Sequence, residues 1–246
     1  MKRLITILAA LACLTVLTSC RHEGWHQKLT VVVETPNGEV SGSSVTEITK
    51  RDQRGNWFFP DARGVYSEVR GEAVAVEVLP GKWLFALLDG REDGKGKVEY
   101  LVYPAFELDK ATDASGRRSY ETAMAKLHAQ PLDTPAMIPA SDYPLMVTFD
   151  DINDPASVKL VDPADLAESF GPGVSLKSVT LEITREKVTE GRVEAVLGWW
   201  LDMRSGPYRE MTPLKLPNTS PRGWNHLGAS AFWSLEYRQE FDRRAP

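Results

Sequence analysis

The chain is nearly free of cysteine. It has two, Cys13 and Cys20, among 246 residues, and both fall within the first twenty. From Arg21 onward there is no thiol. That stretch cannot form a disulfide, bind a metal through thiolate or use a cysteine nucleophile. Histidine is scarce too, with four residues. After the N-terminus no apolar run is long enough to span a bilayer, which takes roughly 20 residues. Basic charge is not in excess: 29 Lys and Arg face 34 Asp and Glu, for a net charge of −5. Such a balance gives no electrostatic reason to bind nucleic acid and supplies no polybasic patch for anionic lipid. Hydrophobic content of 42% and charged content of 26% are those of a globular body.

The N-terminus, MKRLITILAALACLTVLTSC, has the layout of a secretory signal. Lys2 and Arg3 form a positive n-region and Leu4 to Val16 an apolar h-region. The apolar run is short for a spanning helix, and its lack of amphipathic period argues against a buried cytosolic helix. Leu17-Thr18-Ser19-Cys20 resembles the lipobox of bacterial lipoprotein precursors. That resemblance implies removal of residues 1–19 and lipidation of Cys20. Each buried CH₂ contributes about 0.8 kcal/mol, so two or three acyl chains hold a protein durably on a membrane. The next residue is Arg21 rather than the Asp that retains Gram-negative lipoproteins in the inner membrane. The resemblance therefore implies the outer membrane, periplasmic face. Removing the signal also makes the body more acidic by the charges of Lys2 and Arg3.

Residues 20–27 read as a lipidated polar tether. From Lys28 the pattern is β. LTVVVE (29–34) is a β-branched run, Thr35-Pro36-Asn37-Gly38 carries strong turn chemistry, and Val40 to Thr49 resumes a strand. This opening is similar to transthyretin-like and other immunoglobulin-like accessory domains over some twenty residues. Within Gly71–Leu88, EAVAVEVL alternates, Pro80-Gly81 turns, and WLFALL is continuous apolar sequence suited to a strand buried on both faces. Val98 to Tyr103 (VEYLVY) alternates and reads as a further strand. Residues 28–104 are thus expected to be sandwich-like.

Ser119 to His128 reads as a short helix, and Pro131, Pro135 and Pro139 punctuate an extended linker. Residues 105–142 are expected to divide the sandwich from an α+β part, 143–246. There, Tyr143–Phe149 is a strand. Asp162, Pro163 and Asp165 read as N-cap, N1 and first-turn acid of a helix. Val174–Arg185 is a long alternating strand, and Ala229–Phe241 reads as a terminal one. The expected fold class is mainly β.

Sites are few. Asp150-Asp151-Ile152-Asn153-Asp154-Pro155 offers hard oxygen donors that could hold Ca²⁺, but the EF-hand spacing is absent and turn formation weighs more heavily. The loop Asp89–Lys97 lacks the P-loop pattern and reads as a solvated hairpin tip. His22 and His26 would share a helix face but sit in the expected tether, and Gly42-Ser43-Ser44-Val45 is not a nucleophile elbow. His128, at a helix C-terminus, suits the dipole. Trp199-Trp200 and Gly223-Trp224-Asn225-His226, followed by Phe232-Trp233 and Tyr237, combine apolar faces with polar tips. Trp224, Asn225 and His226 are candidate sugar- or peptide-binding residues; core closure is the alternative. No catalytic residue, metal ligand or cofactor site is selected.

The segments Lys28–Ile48, Arg70–Leu88 and Val147–Glu186 resemble a group of uncharacterised alphaproteobacterial proteins. That resemblance implies one shared architecture and no activity. The expected function is a non-enzymatic binding or scaffolding module anchored through Cys20, holding an envelope protein or glycan. The alternative is a periplasmic hydrolase acting on envelope carbohydrate or peptide.

Overall fold

The turn at Pro36-Asn37 folds residues 21–52 into one long hairpin. Gly38 adopts φ +115° there, and the Thr35 hydroxyl donates to the Gly38 carbonyl at 2.7 Å. In the computed structural model, which describes residues 21–52, 64–90, 95–200 and 231–232, this hairpin comprises β1 (Arg21–Thr35) and β2 (Gly38–Asp52). Their register runs unbroken from Thr35↔Gly38 to Arg21↔Asp52. Arg21–Gln27 is therefore strand and not tether. Trp25 and Gln27 alternate inward with Leu29, Val31 and Val33 and are buried like them, so burial and cross-strand pairing order a stretch whose composition reads as polar.

β3 (Val65–Arg70) extends the sheet beyond β2. β4 (Val74–Leu79) and β5 (Lys82–Ala86) form the hairpin around Pro80-Gly81. β5 is buried on both faces, as WLFALL predicts. Leu84 and Ala86 join the main core, while Phe85 and the following Leu87 join a second one.

The chain then departs from expectation. Val98–Tyr100 is a 3-10 turn, and Val102–Ala105 is a helical turn, α1. Val98, Leu101 and Val102 are buried at helical spacing. The expected helix is α2 (Tyr120–His128), with the Ser119 hydroxyl accepting from the Thr122 N–H at 3.2 Å and Ala123, Met124 and Leu127 buried. His128 ends it as expected. β6 (Ala136–Met137) lies within the proline-rich stretch, and β7 (Met146–Phe149) and β8 (Val158–Leu160) follow. Helix α3 (Leu166–Phe170) is capped by Asp165 and not Asp162. Asp162 instead accepts from the Ala164 N–H, and the turn it makes places Leu166 in the core. β9 (Ser175–Thr184) and helix α4 (Arg192–Val196) follow.

Two antiparallel sheets result, in the orders β3-β2-β1-β9-β6 and β4-β5-β7-β8. The fold is mainly β and sandwich-like. Each sheet draws strands from both sides of the stretch 105–142, which joins strands of shared sheets. The two sheets pack tightly where β2 meets β4. A Cβ on Gly42 would lie 2.3 Å from the Ala75 carbonyl oxygen, so only glycine fits there. The main core fills the space between the sheets. The second lies behind β5 and β7, where Phe85 meets Phe149 and Phe232 edge-on, each at 5.8 Å.

Gly42→Ala is expected to destabilise the fold by about 1–3 kcal/mol through overpacking, read as a lower urea midpoint with an unchanged slope.

Candidate functional site

Tyr100 and Tyr103 acquire their placement from the helical turns. In a strand, residues three apart point to opposite faces; in a helical turn they share a side. Here Val98, Leu101 and Val102 enter the core and the two tyrosines share a cleft of about 580 Å³. Their ring centroids are 6.4 Å apart and the planes are inclined by 54°. Tyr100 is 45% exposed; Tyr103 is half-buried, and that burial raises its pKa. Leu101, Gly96, Asp109 and Asp142 also line the cleft.

Two devices hold this segment in place. The first is Gln27, fully buried. Its Nε2 donates to the Val98 carbonyl at 2.7 Å, and its Oε1 accepts from Trp25 Nε1 at 2.8 Å. The second is Glu107, whose φ of +51° turns the chain out of α1. That uncommon conformation for a side-chain-bearing residue lets Leu108 enter the core while Asp109 reaches the cleft. Gly96, at φ +77°, brings its backbone against Tyr143-Pro144. The stretch 140–144 thereby stands as a ridge beside the cleft.

Across this ridge lies a larger cleft of about 890 Å³. Met146, Leu160 and Val161 give it apolar surface, and Tyr143, Thr148, Glu168 and Ser169 give it polar groups. Thr148 is oriented by donating to the Trp83 carbonyl at 2.8 Å. Asp150 and Lys159 pair at one end.

Three ionisable clusters lie elsewhere. Lys50 is 3% exposed, at the polar end of the inner face of β2. Its Nζ contacts the Ser67 hydroxyl, and it sits 4.7 Å from the Tyr100 ring centroid. Burial pulls its pKa down to about 8, with Glu99 acting in the opposite direction. Glu72 is 1% exposed and accepts from the N–H groups of Arg192 and Val193 at 3.1–3.2 Å, capping α4. Burial pushes its pKa up to about 7 against the pull of those hydrogen bonds. Asp133, Glu182 and Glu186 lie close enough to share a cation. Lys28 already bonds Glu186 at 2.7 Å and approaches Glu182 at 3.5 Å, and Thr184 donates to Asp133. The Glu186 bond raises the Lys28 pKa. This group reads as an ion-pair network.

The candidates from sequence fare unevenly. Cys20, Trp224, Asn225 and His226 lie outside the described residues, as does most of Ala229–Phe241. Trp199, half-buried, packs edge-on against Phe149 at 5.7 Å and donates to the Ile152 carbonyl, so it lies against the second core. Asp151 and Asp154 accept from the N–H groups two residues on, which is turn chemistry. His22 and His26 lie on a strand, where four residues span roughly 13 Å, and His26 Nδ1 lies 2.7 Å from the Glu186 carbonyl oxygen. Ser44 is buried and donates to the Glu72 carbonyl. The loop 89–97 leads into the 3-10 turn, so it is not a hairpin tip; Asp89 and Lys97 face each other at 3.7 Å.

Tyr100, Tyr103, Asp109, Asp142, Lys50 and Glu72 escaped the sequence reading. The signal for the tyrosines was the i, i+3, i+4 apolar spacing of Val98, Leu101 and Val102. Glu72 and Lys50 stand out only once burial is known. No family model matches the chain, and neither a curated protein nor a solved structure does.

Two outcomes follow. Gln27→Leu leaves the Trp25 and Val98 groups without their partner and is expected to cost about 1–3 kcal/mol, measured by urea unfolding. For Glu72, the folded pKa lies above the ordinary value, so the native state holds the extra proton between about 4.5 and about 7. Stability from this group is present below that window and lost as pH rises through it, at about 1.4 kcal/mol per pH unit within it. Glu72→Gln is expected to flatten the fall in stability between pH 5 and pH 8.

Proposed function

We propose that the chain is an envelope lipoprotein, anchored to the outer membrane through lipid on Cys20, whose sandwich is a non-enzymatic binding or scaffolding module. The observation that carries the binding reading is the pair of clefts flanking the ridge 140–144. Both combine apolar surface with a few oriented polar groups, the usual make-up of a ligand site. The anchoring reading rests on the signal-like N-terminus and the lipobox resemblance. With β1 starting at Arg21, lipidated Cys20 would hold the end of the sheet bearing Asp52 and Val65 close to the bilayer. A partner would be met near the membrane and not far across the periplasm.

The test places a photo-crosslinking residue at Ser169, beside the larger cleft, and compares the native chain with Cys20→Ser in intact envelopes. The expected result is membrane fractionation and one reproducible envelope adduct for the native chain, with both lost in Cys20→Ser. An unlipidated native chain in the soluble fraction would refute the anchor. A native chain in the membrane with no adduct would count against the binding site.

One contact favours a second reading, a periplasmic hydrolase. Lys50, with its pKa near 8, touches the Ser67 hydroxyl. In an acyl transfer neutral Lys50 would take the Ser67 proton as Oγ attacks the carbonyl carbon. The resulting ammonium would return that proton to the alcohol or amine that leaves as the acyl bond breaks, and water deprotonated by Lys50 would then release the acyl group from Oγ. A fluorophosphonate probe is then expected to label Ser67 faster as pH rises through 8, and not at all in Ser67→Ala. Absence of labelling ends this reading.

A further inference from the structure

We propose that the cleft lined by Tyr100 and Tyr103 binds a neutral sugar ring, packed against the aromatic wall they form and hydrogen-bonded by Asp109 and Asp142. This inference rests on the binding-module reading and names its ligand class and site.

The charges around the cleft exclude the other classes in turn. An anion would meet the carboxylates of Asp109 and Asp142. A cation would be drawn to them, but Lys50 already occupies one face of Tyr100 at 4.7 Å, and Lys95 lines the same cleft. A second cation over that ring would be repelled by the first, since both draw on one quadrupole. A wholly apolar ligand would bury the carboxylates and phenols without partners, which is costly. A neutral polyol meets neither objection. Its C–H face lies on the aromatic rings, and its hydroxyls donate to carboxylates that have acceptor capacity to spare. Asp142 accepts a bond from the Ser141 hydroxyl at 2.6 Å, which leaves lone pairs on the same carboxylate.

The cleft is also built, and not an accident of side-chain packing. The rings meet at 54° with centroids 6.4 Å apart, so together they form one continuous aromatic wall of the cleft. Gln27 fixes the turn beneath them from the core side, and the left-handed Glu107 delivers Asp109 to the rim. A volume of about 580 Å³ suits a small ligand, since such sites span about 300–1,000 Å³.

The experiment uses the full chain in detergent, titrated with maltotriose, cellotriose and an N-acetylglucosamine trimer. Arginine and glutamate serve as charged controls, and binding is followed by saturation-transfer NMR and calorimetry. At least one trisaccharide is expected to bind and the controls not. Tyr100→Ala and Asp109→Asn are each expected to weaken binding at least tenfold. Asp109→Asn leaves the urea midpoint within error because its side chain is exposed, whereas Tyr100→Ala also removes the ring beneath the Lys50 ammonium and lowers the midpoint. Preference for a charged control overturns the proposal. So does trisaccharide binding that survives Tyr100→Ala. If that surviving binding is lost in Tyr143→Ala, the binding module stands with its site across the ridge, and only this inference falls. If no trisaccharide or control binds, the proposal is overturned, and the Ser169 crosslink decides separately whether the module reading survives.

Discussion

A buried amide in the first strand fixes the geometry on which the clefts depend. Gln27 lies on the inner face of β1, between the buried Trp25 and Leu29. Such a group is tolerated inside a core only when its donors and acceptors are engaged. It meets that condition by holding the indole of Trp25 on one side and the Val98 carbonyl on the other. The second bond crosses from the long hairpin to the helical turns. It sets where Val98, Leu101 and Val102 enter the core, and so which way Tyr100 and Tyr103 face.

The buried charges Glu72 and Lys50 sit at joints of the fold. Glu72 lies between β3 and β4 and holds the first turn of α4 by its backbone N–H groups. Through α4, and through the bond from the Ala73 N–H to the Phe232 carbonyl, the later chain is drawn over the second core. Val193, Leu197 and Phe232 cover Phe85 and Phe149 there. Lys50 closes the far end of the inner face of β2, beyond Ile48, and its ammonium rests on Tyr100 and Ser67. Both groups depart from ordinary titration for the same reason, burial. The fold accepts that cost where a short hydrogen-bonded connection replaces apolar contact.

Much of the fold was legible because it is local. Thr35-Pro36-Asn37-Gly38, Pro80-Gly81 and the Ser119 cap carry their geometry in a few adjacent residues. The continuous apolar run WLFALL could only be a strand covered on both sides. The failures share a different cause. Arg21–Gln27 looks polar in isolation and is ordered by pairing with Thr46–Asp52. Ala136–Met137 lies between prolines and still pairs with β9 at the sheet edge, where a missing N–H is harmless. VEYLVY fits a period of two as well as a helical spacing, and six residues cannot decide between them. Of the candidate sites, Asp109 and Asp142 are far apart in the chain from each other and carry no motif.

By itself the sequence determined the mainly β class, the principal hairpins and helix α2, and the absence of thiol chemistry after Cys20. These follow from composition and from short-range turn, cap and alternation rules. Only the tertiary structure decided that β9 pairs with β1 and β7 with β5, that Trp199 packs against the second core, and that Tyr100 and Tyr103 line one cleft with Asp109 and Asp142. Those outcomes depend on which apolar faces meet across the sandwich and on where Gln27 finds its partner, a choice made by contacts some seventy residues apart.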